Sequence, residues 1–160
     1  MTTRTTMTRV TAAIGLTLTL MLAACVATSS APPAEAAPRG KPIVIRDNRG
    51  GNVLETVRYR NKLAASGRPV QIRGYCRSAC TMLITLPNAC LGRGATIGFH
   101  APRIPNTTII PPLVDQIMAS YYRNGIRARW DAEWKYSLEM QKISAREYVK
   151  LDPQTRLCGA

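Results

Sequence analysis

The feature that most constrains the fold is a repeated order of apolar strand, glycine-containing turn and helix between residues 42 and 99. The pattern predicts strands over Pro42–Asp47, Arg68–Gly74 and Ala95–Phe99, and helices over Val53–Ser66 and Ser78–Leu86. Strands that alternate with helices usually form a parallel sheet joined by right-handed crossovers. The sequence therefore predicts an α/β fold built as a single small domain.

After these elements the pattern predicts a C-terminal helical segment. Four prolines make residues 101–112 a loop. Residues 113–140 have a helical pattern with a break or kink near Gly125. Ser144 and Glu147 have the spacing of a capping box, which predicts a short last helix.

The pattern of residues 1–24 predicts an export signal. Two arginines precede an apolar run of 15 residues, and this run is too short to span a bilayer. The run ends in Leu22-Ala23-Ala24-Cys25, which resembles the bacterial lipobox and implies that Cys25 receives a diacylglycerol and begins the mature chain. The alternative is ordinary cleavage near residues 34–37. Residues 25–40 are typical of a flexible tether, which leaves 41–160 for the domain. Both cleavages place the protein outside the cytoplasm, in the periplasm or cell envelope.

The charge is strongly basic. The chain has 22 basic and 9 acidic side chains, a net charge of +13, and loss of Arg4 and Arg9 with the signal leaves 20 − 9 = +11. Such a surface favours polyanions. Because the sequence has no nucleic-acid-binding motif, the expected partners are anionic lipid headgroups or envelope polymers, besides the membrane reached through the lipid anchor. The alternative is a solvated basic surface. No motif indicates a metal or a cofactor.

Four cysteines follow Cys25, at positions 76, 80, 90 and 158. An even number in an exported chain predicts two disulfides. Three pairings are possible and the sequence does not choose among them, although we favour Cys76–Cys90 with Cys80–Cys158. Cys76, Cys80 and Cys90 with His100 are an alternative zinc site, but their spacing matches no common short zinc-binding pattern.

Ser78 and His100 are the candidate reactive pair. Ser78 stands where a predicted strand gives way to a helix, so its hydroxyl lies beside unpaired helix amides that stabilise an oxyanion. His100, the only histidine, ends the next predicted strand. The carboxyl ends of neighbouring parallel strands share one edge of the sheet, where a nucleophile and its general base can meet. The alternatives are a plain N-cap for Ser78 and a half-buried structural histidine.

Three ordered blocks, Asp47–Val53, Cys76–Cys80 and Gly98–His100, resemble the Clp-protease/crotonase superfamily, in particular its small exported members. In that superfamily a strand leads into an N-S-P-G-G-x-V turn, a nucleophilic serine opens a helix, and a histidine ends a later strand. The resemblance covers residues 42–151. It implies a Clp-protease/crotonase-like βαβ spiral with a C-terminal helical segment.

By position, the resemblance implies that Ser78 is the nucleophile and His100 the general base. It implies that the backbone amides of Gly51 and Ala79 form the oxyanion hole. The family's turn has proline where this chain has Arg49, which either contacts an acidic end of a substrate or lies in solvent.

The third catalytic position departs from the family. Counting back from the serine-led last helix places the family's aspartate on Met140, beside Glu139. Glu139 is the predicted third residue if the register slips by one, and Asp152 and Asp115 are the alternatives. Because the acid orients the histidine and stabilises its cation, its absence need not abolish the chemistry.

These observations predict an exported, ATP-independent serine hydrolase, most plausibly a peptidase, that acts on a peptide or another acyl substrate. The alternative is a non-catalytic basic envelope lipoprotein that uses the same fold as a binding module. A cysteine nucleophile is a further rival, although no cysteine opens a helix as Ser78 does. Trp130 and Trp134, four residues apart, are expected in the core, with an aromatic surface patch as the alternative.

Overall fold

The computed structural model describes residues 40–159. The predicted signal segment, residues 1–24, and the predicted lipid-acceptor Cys25 lie outside the described residues. Of the predicted tether, residues 25–40, only Gly40 is described. Within the described range no helix combines the length and the apolar character needed to cross a membrane.

The described chain alternates short strands with helices. In chain order, the elements are β1 (Ile43–Arg46), α1 (Val53–Ala65), β2 (Val70–Arg73), β3 (Tyr75–Arg77), the 3-10 helix η1 (Ser78–Leu83), β4 (Ala89–Leu91), β5 (Thr96–Phe99), α2 (Pro112–Ala119), α3 (Asn124–Ala132), the 3-10 helix η2 (Trp134–Tyr136), β6 (Gln141–Ser144), α4 (Ala145–Leu151) and β7 (Arg156–Leu157). The predicted single small α/β domain with parallel strands is confirmed.

The strands form two small sheets. The first has the order β1-β2-β4-β7, and all of its neighbours are parallel. The second has the order β3-β5-β6, in which β3 and β5 are parallel and β6 is antiparallel to β5. The expectation that the third predicted strand, β5, lies in one sheet with β2 is wrong. Gly74, with φ 66°, turns the chain after β2, so that the following β3 becomes the neighbour of β5.

Helix α1 forms where the pattern predicts it. Its buried residues are Val53 and Leu63, one near each end. The side-chain oxygen of Asn52 accepts hydrogen bonds from the amides of Leu54 and Glu55 at 2.9 and 3.1 Å. This cap satisfies amides that the first helical turn leaves unpaired and fixes where the helix begins.

The segment after β3 differs from the predicted helix Ser78–Leu86, because it is a 3-10 helix that ends at Leu83. Within it the Thr81 hydroxyl donates a hydrogen bond to the Ser78 carbonyl at 2.7 Å. Residues 79–83 are all buried, so the segment lacks the polar face of an amphipathic surface helix.

The predicted C-terminal helical stretch is divided into α2, α3 and η2. The predicted break near Gly125 is confirmed, since it falls at residues 120–123, and Gly125 itself lies inside α3. A side chain at Gly125 would meet Leu151 at 2.9 Å, so the glycine permits close helix packing instead of ending a helix. Helix α4 begins at the predicted cap, where the Ser144 hydroxyl accepts a hydrogen bond from the Glu147 amide at 3.1 Å.

An aromatic cluster fills the core beneath β5. Phe99 stacks on Trp134 with ring centroids 4.3 Å apart and meets the edge of Tyr122 at 5.6 Å. Tyr122 also packs on Trp130, with centroids 4.9 Å apart. Both tryptophans are buried. Their predicted place in the core is confirmed, and the alternative of an aromatic surface patch is wrong.

Two disulfides are present, as predicted, but the favoured pairing is wrong. The bonds join Cys76 to Cys80 and Cys90 to Cys158, with Cα atoms 5.5 and 5.0 Å apart. The tight entry into η1 brings the first pair together, and the parallel pairing of β4 with β7 brings the second pair together. All four sulfurs are bonded, so these cysteines supply no thiolate for zinc. Two disulfides fit an oxidising compartment and an exported protein.

The chain end is anchored at a buried carboxylate. Asp152 accepts hydrogen bonds from Arg123, Asn124 and the Thr155 hydroxyl, each at 2.7 Å. Burial alone raises the pKa of Asp152, but these hydrogen bonds and the Arg123 charge outweigh it and hold the pKa below its usual range. The anchor holds the chain between α4 and β7.

Candidate active site

Ser78 has a backbone conformation that serine rarely adopts. It follows β3 directly, and its φ is 55°, in the left-handed region. The other non-glycine residues with positive φ in the described range are Asp47, Asn106 and Asn124, which are residue types that tolerate this region. For serine it costs roughly 1–2 kcal/mol. Strain of this kind concentrates at functional sites.

Ser78 is not the N-cap of η1, so that alternative is wrong. The cap position belongs to Arg77, and no side chain caps the helix. Across residues 40–159 the Ser78 hydroxyl makes no hydrogen bond, although the backbone carbonyl of Ser78 accepts one from Thr81. The hydroxyl is therefore free to act on a ligand.

A disulfide encloses the turn that carries Ser78. Cys76 in β3 and Cys80 in η1 flank the serine, are separated by four positions and are both buried. The bond closes a very short loop, so it limits the conformations open to the residues between the cysteines. Ser78 therefore lies inside a short loop that one disulfide closes.

A glycine turn between β1 and α1 lies against Ser78. A Cβ added at Gly50 would lie 2.7 Å from the Arg77 carbonyl oxygen, 2.8 Å from Ser78 Cβ and 2.9 Å from Ala79 N. Only glycine permits this approach. Asn48 joins the two segments, because its side-chain oxygen accepts from the Gly50 amide at 2.8 Å and its carbonyl accepts from the Arg77 amide at 3.1 Å.

His100 reaches the same region from β5. The parallel register pairs Arg77 with Gly98, so His100 follows β5 beside the point where Ser78 follows β3. Nδ1 of His100 lies 2.7 Å from the carbonyl oxygen of Ala101. Because a carbonyl only accepts, Nδ1 carries the proton in the neutral ring and Nε2 keeps its lone pair.

The surroundings of His100 favour the neutral imidazole. Half-burial is the largest cause that lowers the pKa of His100, the charges of Arg77 and Arg103 lower it further, and the hydrogen bond to Ala101 opposes them. The pKa therefore lies below the usual 6.5. At neutral pH the ring is uncharged and can accept a proton at Nε2.

Ser78, His100 and Gly51 line one pocket of about 610 Å³. Its remaining walls come from the start of α1, from residues 102–105 and from Pro111 and Val114. Most of these side chains are apolar. The pocket has the size and character of a site for a small ligand or a few residues of a peptide.

The predicted oxyanion residues are placed differently from each other. Gly51 is exposed and lines the pocket, whereas Ala79 is fully buried beneath Gly50 and lies outside the lining. Neither amide donates a backbone hydrogen bond in the part of the chain that the structure describes. No hydrogen bond joins Ser78 to His100 there either, and such catalytic bonds commonly tighten only when substrate binds. Arg49 is exposed and outside the lining.

The structure does not bring Glu139 to the histidine. Glu139 is exposed, lies between η2 and β6, and is not part of the pocket lining. Its segment does pass close by, because the Ser137 carbonyl accepts a hydrogen bond from the Ala101 amide at 2.7 Å. The place at Nδ1 of His100, where an acid was predicted, is taken by the Ala101 carbonyl.

The two alternative acids have structural partners elsewhere. Asp115 accepts a hydrogen bond from the Trp130 indole at 2.8 Å. Asp152 accepts its hydrogen bonds from Arg123, Asn124 and Thr155. The site therefore has a serine and a histidine, with a backbone carbonyl in the orienting position.

Sequence reasoning missed Arg103, the Ala101 carbonyl and the apolar wall between residues 102 and 114. The four prolines after His100 predict only a loop. A loop of that length that follows the only histidine was the available signal, because binding residues concentrate on such loops.

Gly50→Ala is expected to destabilise the domain by about 1–3 kcal/mol more than Gly67→Ala. Both glycines have a positive φ, so alanine is strained at each, but Gly67 has open space where Gly50 faces the backbone around Ser78. Urea denaturation of the two variants measures the difference. Equal losses of stability would show that the Gly50 turn yields without strain.

No protein-family model matches the chain, and no curated protein matches it in sequence. Support for a function therefore comes from the parts of this pocket. They are a free serine hydroxyl, a neutral imidazole with an available nitrogen, and unpaired amides near the serine. These are the parts that nucleophilic acyl transfer requires.

Proposed function

We propose that this domain is an ATP-independent serine hydrolase that acts on an acyl substrate, and that this substrate is a peptide. The observation that carries the proposal is Ser78, which has a strained backbone and a free hydroxyl in the pocket that also contains His100. A purely structural role would not need a serine there, because glycine fits a left-handed position at lower cost.

We also propose that the fold is the Clp-protease/crotonase-like spiral. Two observations support it. The glycine turn approaches the nucleophile closely at Gly50, and Ser78 and His100 follow neighbouring parallel strands. Both relations are those that the superfamily's ordered blocks imply.

In the proposed reaction Ser78 Oγ attacks the carbonyl carbon while His100 Nε2 takes the hydroxyl proton. The electron pair of the carbonyl moves onto its oxygen, which becomes an oxyanion. The protonated His100 then gives its proton to the leaving group as the bond to that group breaks. A water molecule then attacks the acyl-serine while the same nitrogen takes its proton. The bond between the acyl carbon and Ser78 Oγ breaks, Oγ takes the proton back from Nε2, and the acid leaves. The Ala101 carbonyl holds the His100 imidazole in the tautomer that these proton transfers need.

The oxyanion is proposed to bind the amide of Gly51, a residue that lines the pocket. The Ala79 amide is the second donor, but the Gly50 turn covers it in the structure. We therefore propose that this turn moves aside when substrate binds. Successive glycines with φ 82° and 137° suit a turn that must change its backbone angles.

The protein is proposed to be lipid-anchored at Cys25 and to face the periplasm or cell envelope. The two disulfides support an oxidising location, and the sequence before Cys25 supports lipidation. Mass spectrometry of the mature N-terminus tests the anchor, with a diacylglycerol-modified Cys25 as the expected result. An unmodified terminus downstream of residue 25 would contradict it.

A fluorophosphonate probe tests the hydrolase. We expect the folded, oxidised protein to be labelled at Ser78, Ser78→Ala to be unlabelled, and Ser120→Ala, a surface serine outside the pocket, to be labelled like the wild type. If the folded wild type is never labelled, the hydrolase proposal fails. That result would favour the alternative of a non-catalytic envelope binding module, since the missing acid weakens the site.

A further inference from the structure

The pocket contains positive charge without a protein counter-charge. Arg103 is the one arginine or lysine in its lining, and no acidic residue lines it within residues 40–159. The ion pairs of the described chain all lie between residues 123 and 152, and none includes Arg103. Arg77, next to Ser78, lies outside the lining, but its charge reaches His100 and lowers the pKa of that ring. The side of the pocket near the histidine is therefore electropositive.

The other walls of the pocket are apolar and partly uncovered. Ile104 and Leu54 line it and are 44% and 51% exposed. They lie in the same lining as Arg103, which directly precedes Ile104 in the chain. Exposed apolar side chains next to a cavity are typical of a binding site. A ligand that satisfies this surface has an apolar group and an anion close together.

We propose that the pocket selects a carboxylate joined to an apolar group, and that Arg103 is the specificity-determining residue that binds the carboxylate. An arginine guanidinium suits this role, because its planar donors match the two oxygens of a carboxylate. Leu54 and Ile104 contact the apolar group. The substrate class rests on the proposed function: it is an acyl compound with a carboxylate near the carbonyl that Ser78 attacks.

Binding can be tested without catalysis, using octanoate and its neutral analogue octanamide. The chain has one histidine, so its imidazole gives a single set of NMR signals that report on the pocket. We expect octanoate to bind roughly 5- to 10-fold more tightly than octanamide, a modest factor because Arg103 is exposed. Bound octanoate should also raise the pKa of His100, since a nearby negative charge favours the cation.

Two variants assign the preference. Arg103→Gln should bring the octanoate-to-octanamide affinity ratio close to one, and Arg103→Glu should reverse it. Arg146→Gln removes the same charge from an exposed position of α4 outside the pocket and should leave the ratio within about twofold of the wild type. Equal binding of the two ligands by the wild type overturns the proposal, and so does an unchanged ratio in Arg103→Gln.

Hydrolysis separates this inference from the proposed function. The carboxylate could belong to a peptide's C-terminus or to an acidic side chain. Two apolar peptides distinguish these sources: one has a free C-terminal carboxylate, and the other is amidated and has an internal aspartate. Faster cleavage of either one than of a neutral peptide, lost in Arg103→Gln, supports the substrate class. Selective octanoate binding without any cleavage would leave the anion site standing and refute the hydrolase. Cleavage of all three peptides at equal rates would support the hydrolase and refute the anion site.

Discussion

Replacing His100 with glutamine is expected to lower kcat/KM for an acyl substrate roughly 10²- to 10⁴-fold. Glutamine has no nitrogen that can take the Ser78 proton, so the hydroxyl must attack without a general base. The rate of fluorophosphonate labelling should fall in parallel, because labelling uses the same nucleophile. An unchanged rate in a variant with the wild-type urea midpoint would remove His100 from the mechanism.

The pH dependence gives a second readout of the same residue. A general base works only when neutral, and the pKa of His100 lies below the usual 6.5. Therefore kcat/KM should rise with pH and reach half of its plateau below pH 6.5. Arg103→Gln should move this midpoint upward, because one of the charges that lowers the pKa is removed, whereas Arg146→Gln should not. A wild-type midpoint above 6.5 would contradict the burial and charge described around the ring.

Removing the Cys90–Cys158 disulfide is expected to lower the free energy of unfolding by about 4 kcal/mol, against about 2 kcal/mol for Cys76–Cys80. The bonds span sequence separations of 68 and 4, and a longer closed loop restricts the unfolded chain more. The first change corresponds to a fall in Tm of about 10–20 °C for a domain of this size. Thermal unfolding of the two Cys→Ser double variants measures both.

The order of the two effects should reverse at the site. Loss of Cys76–Cys80 frees the turn around Ser78, so its fluorophosphonate labelling should slow more than in the variant without Cys90–Cys158. Labelling is compared at a temperature at which both variants are folded. If the Cys90–Cys158 variant loses more reactivity while folded, the turn is not what the shorter disulfide holds.

The elements that the sequence predicts well are those with a local signal. Helix α1 has enough length for an apolar periodicity, and α4 has a capping serine, so both were predictable. Strands β3, β4 and β7 have two or three residues each, too few to show a period of two. Their existence depends on pairing with distant strands. The disulfide pairing was unpredictable for the same reason, since β4 and β7 must meet before Cys90 and Cys158 can bond.

The site was predictable to a different degree for each residue. Ser78 and His100 were predicted from the chemistry of the residue type and its place after a strand, and Gly51 was predicted from the family resemblance. The left-handed backbone of Ser78 was not, because local rules make a serine before a helix an N-cap. The prediction that Glu139 orients His100 was wrong, because the path of the chain between η2 and β6 decides which groups face the imidazole ring. The role of the Ala101 carbonyl depends on backbone geometry. Because every residue has a backbone carbonyl, the residue type at position 101 gives no signal of this role.

The φ of 55° at Ser78 has an evolutionary consequence. At a left-handed position glycine is the residue that costs least, so a chain drifting without selection at this position would move toward glycine. A serine that persists there does so against a thermodynamic gradient. We therefore expect descendants without the proposed activity to lose this hydroxyl early and to become more stable as they do.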